Sequence, residues 1–91
     1  MVNEQLREVA DELSKLIGLR YGFDKDFMHT GVSYGYIGNV ERWGDDRAWG
    51  FFHPAGNMMI GRFVTAEALL NDYRRFPQRY ARWVKRGTKY A

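Results

Sequence analysis

Leu6, Val9, Ala10, Leu13, Leu16 and Ile17 recur at three- and four-residue spacing, and most residues between them are charged or polar. That period predicts an amphipathic helix over residues 3–17 with one apolar stripe. Asn3 is placed to cap it, Glu4 and Glu8 lie toward its positive end, and Gly18 is placed to stop it. Residues 19–31 carry glycines, aspartates and His29 and read as a loop. From Val32 the period changes to two. Val32, Tyr34, Tyr36 and Val40 fall on one face of a strand, and Ser33, Gly35, Ile37 and Asn39 on the other. Gly44-Asp45-Asp46 is turn chemistry, and residues 47–53 read as a second strand. His53-Pro54-Ala55-Gly56 suits a type I turn, and residues 58–64 read as a third strand.

Thr65 is placed to cap a further helix, with Glu67 in its first turn. Pro77 has no N–H to donate, so that helix kinks or restarts there, and Gly87 is expected to end it. Tyr73, Phe76, Tyr80, Trp83 and Val84 make one stripe. Arg75, Arg79, Arg82, Arg86 and Lys89 make another on roughly the opposite side. The pattern predicts an α+β fold, a three-stranded antiparallel β-meander flanked by an N-terminal and a C-terminal helix (α-β-β-β-α). Both helices pack on one face of a small sheet, in a single domain spanning residues 1–91.

Charge changes this picture. Residues 1–30 carry four basic and six acidic side chains, and residues 31–70 three and four. Residues 71–91 carry seven basic and one acidic. The positive charge is therefore a property of the last helix, and it points to an anionic partner or to an acidic surface on the same chain. Glu4, Glu8 and Glu12 form an acidic stripe on the first helix, which reads as a solvated face. There is no cysteine, so disulfides and thiolate metal sites are excluded, which fits a cytoplasmic location. Glu4, Arg7, Glu8, Asp11 and Glu12 interrupt any apolar run that could serve as a signal peptide. No stretch approaches the ~20 apolar residues of a membrane span.

Catalytic chemistry finds no footing. His29 and His53 have no partner at metal-ligand spacing, and Ser14 and Ser33 lie in no nucleophile elbow. The adjacent Asp45 and Asp46 are explained by the turn. The expectation is a non-enzymatic chain without cofactor or metal.

The second strand carries the sharpest question. Trp49, Phe51 and His53 share one face, and Ala48, Gly50 and Phe52 the other. If the helices cover the Phe52 face, Trp49 and Phe51 lie open beside Arg47, a platform on which bases can stack. Tyr34 and Tyr36 can extend it as cross-strand neighbours. Residues 38–56, GNVERWGDDRAWGFFHPAG, resemble the first hairpin of cold-shock domains at Gly38, Val40, Trp43, Arg47, Trp49, Gly50, Phe51, Phe52 and Pro54. The resemblance implies that Trp49 and Phe51 stack on single-stranded bases and that Arg47 meets the backbone. It covers about a fifth of the chain. Arg42 and Ala48 depart from the pattern, as does Met59-Ile60-Gly61 where the family has a second aromatic motif.

The sequence thus favours a small binding module for single-stranded nucleic acid. Trp43, Arg47, Trp49, Phe51 and His53 would serve on the sheet, and Arg75, Arg79, Arg82, Lys85 and Arg86 on the last helix. The alternative is a protein–protein interaction module, such as a small phage or mobile-element inhibitor or accessory protein that docks on an acidic protein surface. A homodimer that pairs through its own aromatics is a third reading.

Overall fold

The computed structural model of the chain describes residues 1–16, 31–38, 47–55 and 58–88. Helix α1 (Val2–Lys15) is followed by strands β1 (Ser33–Gly38), β2 (Arg47–Phe52) and β3 (Met59–Phe63), then helices α2 (Ala66–Arg75) and α3 (Pro77–Thr88). The strands form one antiparallel sheet in the order β1-β2-β3, as the alternation predicts. The turn at 44–46, residues 19–30 of the predicted loop, and Ile17, Gly18, Asn39, Val40, Gly56 and Lys89 lie outside the described residues.

All three helices lie on the sheet face that carries Trp49, Phe51 and His53. The core joins Leu6, Ala10 and Leu13 of α1 and Leu69 and Leu70 of α2 with Tyr80, Trp83 and Val84 of α3. These pack against Phe51 of β2 and against Val32, just before β1. Tyr80 stands at its centre, edge-on to Phe51 at 5.8 Å and to Tyr73 at 5.4 Å. Its hydroxyl donates to Asp72 Oδ2 at 2.6 Å. Burial, and after it this bond, hold the Tyr80 proton well above the usual tyrosine range. An unfolded chain loses that proton near pH ~10, whereas the fold retains it, so stability falls as pH rises through that value. Thermal melts below and above pH ~10 should show the drop, and Tyr80→Phe should reduce it.

Local chemistry accounts for the boundaries. The α1 helix is capped two residues earlier than its capping pattern suggests. Met1 is its N-cap, without a side-chain bond, and Asn3 sits inside the first turn. Its inward face also includes Ser14, whose hydroxyl donates to the Ala10 carbonyl at 2.7 Å and accepts the Val32 N–H at 2.8 Å. That pair of bonds ties α1 to the start of β1. Leu16, assigned to the apolar stripe by spacing, falls beyond the helix and is exposed. At α2, Thr65 caps as expected, accepting the Ala68 N–H at 3.1 Å. The helix breaks at Phe76, and Pro77 opens α3, where a missing N–H costs nothing.

Two glycine features shape the sheet and its cover. Gly35, Gly50 and Gly61 are register partners across the three strands. On the face away from the helices, Phe52 lies over Gly35 and Met59 over Gly50, so a Cβ at either glycine would meet a side chain. Beside this row β3 carries a bulge. Gly61 has φ 120° and Arg62 φ 69°, and Phe63 pairs with Trp49 two residues on from Gly61. The extra residue returns Phe63 to the helix side, where Ile60 also packs. Gly87, expected to end the last helix, lies inside α3, and its bare Cα leaves room for the His53 ring.

Candidate nucleic-acid interface

The packing decides which sequence candidates reach solvent. Phe51 has 0 % exposure, so its ring is core and cannot stack on a ligand; the expectation for this residue is corrected by the helices that cover its face. His53 is buried for the same reason. Its Nδ1 accepts the Ala55 N–H at 3.0 Å, and its Nε2 then carries the proton it donates to the Val84 carbonyl at 2.9 Å. Both nitrogens are occupied and the ring stands edge-on to Trp83 at 5.4 Å, so His53 joins β2 to α3 and is no surface contact. Trp49 is half-buried and packs against the core. Tyr36 is its cross-strand partner at 5.4 Å between ring centres and is 45 % exposed. Arg47 is the first residue of β2, paired with Gly38, and Trp43 lies outside the described residues.

The cationic candidates form a surface. Arg75 ends α2, and Arg79, Arg82, Lys85 and Arg86 follow along α3; all five are exposed. Their exposure follows from the period of the helix. Tyr80, Trp83, Val84 and Gly87 turn inward and leave 79, 82, 85 and 86 outward. Arg79 pairs with Asp72 at 3.4 Å. Among the described residues no carboxylate lies within ion-pair distance of Arg75, Arg82, Lys85 or Arg86. The acidic stripe of α1 does not neutralise them; Asp11 and Glu12 pair with Lys15 of their own helix. Arg74 points elsewhere and lines a groove between α1 and α2 with Glu8, Asp11, Glu12 and Tyr73. Burial, with a smaller push from Glu12, raises the Tyr73 hydroxyl above its ordinary value.

A residue assigned to the apolar stripe joins this surface instead. Phe76 precedes Pro77, and its backbone leaves the helical region (φ −134°, ψ 56°). The ring therefore drops out of helical phase and is 41 % exposed. The guanidinium carbons of Arg79 and Arg75 lie 4.5 and 5.4 Å from its centre. Arg75, Phe76, Pro77, Gln78, Arg79 and Arg82 line a depression of about 420 Å³. The signal for Phe76 was present in the sequence, because a residue before proline is pushed out of the helical region.

Among the described residues no group of three or more acidic or histidine side chains converges on a metal position. No described helix is long and apolar enough to cross a membrane. Searches of protein-family models, of curated proteins and of solved structures find no match to this chain.

Proposed function

We propose that the chain is a non-catalytic module that binds nucleic acid through the phosphate backbone, using the exposed cations of the α2 end and of α3. The observation that carries this reading is the set Arg75, Arg82, Lys85 and Arg86, four exposed cations with no counter-ion among the described residues. On α1, Asp11 and Glu12 pair with Lys15 of their own helix and not with these cations. Guanidinium groups suit phosphate oxygens because they present paired N–H donors.

Four phosphate contacts on a single strand give log K a slope of about −3 against log salt. Replacing Arg82 and Arg86 together by glutamine removes two contacts and should bring the slope to about −1.5. Fluorescence anisotropy of a labelled oligonucleotide, titrated between about 50 and 200 mM salt, measures both slopes. Absence of binding at the low end, or an unchanged slope in the double variant, would overturn the proposal. The second reading is an acidic protein surface in place of the phosphates. The exposed Phe76, Tyr36 and Val64 favour it, as rings and aliphatic groups of this kind are what protein partners cover.

A further inference from the structure

The depression at the α2–α3 break has a chemistry of its own. Its wall combines a partly exposed ring, Phe76, with three guanidinium groups, those of Arg75, Arg79 and Arg82. The three are not equivalent. Arg79 is tethered, holding Asp72 at 3.4 Å while lying 4.5 Å from the centre of the Phe76 ring. It steadies the ring. Arg82 is exposed and has no carboxylate partner among the described residues. Arg75 likewise has none, and its guanidinium carbon lies over the ring, 5.4 Å from its centre.

We infer that this depression takes one unstacked base of a single strand, laid on the Phe76 ring, with the flanking phosphates on Arg75 and Arg82. The inference rests on the nucleic-acid reading above and adds the type of strand to it. Three arguments join here. A flat ring kept in place beside cations suits a ligand that is flat and carries negative charge on both sides, which describes a nucleotide within a strand. The volume, about 420 Å³, falls within the ~300–1,000 Å³ range of sites for small ligands and so has room for one base but not for a duplex. Base–aromatic stacking tolerates any base, because every base has a π-face. The site therefore distinguishes single from paired strands without reading sequence.

The test uses the whole chain and three fluorescein-labelled probes, two single strands of equal length and charge and a duplex of the same length with twice the phosphates. They are a strand of about twelve thymidines, the same strand with abasic sites throughout, and a duplex. Wild-type protein should bind the thymidine strand roughly 5- to 150-fold more tightly than the abasic strand. Phe76→Ala should erase that difference, and Phe76→Trp should retain it. Circular dichroism melts check that both variants fold. Equal affinity of the wild type for thymidine and abasic strands overturns the inference while leaving phosphate binding intact. A preference that survives Phe76→Ala also overturns it, and moves the base to another ring, Tyr36 being the exposed alternative. Binding to none of the three probes overturns both readings together.

Discussion

Phe51→Ala should lower the stability of the fold by about 3–5 kcal/mol, the usual cost of truncating a fully buried phenylalanine. Small domains have only about 5–15 kcal/mol in total, so the variant should be largely unfolded at modest urea. The size of the effect follows from its surroundings. The ring has no exposure, meets Tyr80 edge-on at 5.8 Å, and sits where sheet and helices converge. Aromatic pairs of that geometry add about 0.5–1.5 kcal/mol beyond area burial. The resemblance to cold-shock hairpins implies the reverse result, a variant that folds normally and loses affinity for single strands. Equilibrium urea denaturation, read by circular dichroism, separates the two outcomes. A midpoint unchanged from wild type would return Phe51 to the surface and remove the packing on which the core is built.

Gly87→Ala is the second large effect, and its sign depends on His53. On helix propensity alone alanine is better than glycine by about 1 kcal/mol. Here a Cβ would stand 2.5 Å from His53 Cδ2 and Nε2 and 2.8 Å from Cγ. The ring has no easy retreat, because one nitrogen is bonded to the Val84 carbonyl, the other to the Ala55 N–H, and Trp83 lies at its edge. Overpacking of this kind costs about 1–3 kcal/mol, so Gly87→Ala should destabilise. In a His53→Ala background the obstacle is gone, and the same substitution should stabilise by about 1 kcal/mol. A double-mutant cycle should therefore give a coupling of about 2 kcal/mol, well beyond the error of additivity. Additive values would mean that the imidazole does not touch Gly87.

The elements were legible because each rests on a local rule. Three- and four-residue spacing marks α1, alternation marks the strands, Thr65 marks the start of α2, and Pro77 marks the break. The covered face was not legible, because β2 carries a phenylalanine on each side, Phe51 and Phe52, and alternation cannot rank them. Gly87 reads as a helix stop in sequence, and only the position of His53, 34 residues away, shows it to be a space-maker. Ser14 reads as an ordinary polar helix residue until Val32 arrives to donate to it. The bulge at Gly61–Arg62 defeats strict alternation, since it sets Ile60 and Phe63 on one side despite their odd spacing. For the candidate site, the cations were legible from charge and period. Phe76 was assigned to the wrong stripe because one helical phase was carried across a proline that resets it.

The glycine row across the sheet has a consequence for how the strands find one another. A slip of one residue in strand pairing exchanges the two faces. With a phenylalanine on both faces of β2, hydrophobic content alone penalises such a slip weakly. The row changes that. Only one alignment of β1, β2 and β3 sets Phe52 over bare backbone at Gly35 and Met59 over bare backbone at Gly50. A slip of one or two residues drives at least one of these side chains against a neighbouring Cβ. Gly35 and Gly50 thus act as a steric key against mispaired meanders, a fidelity device written in positions where the sheet has no side chains.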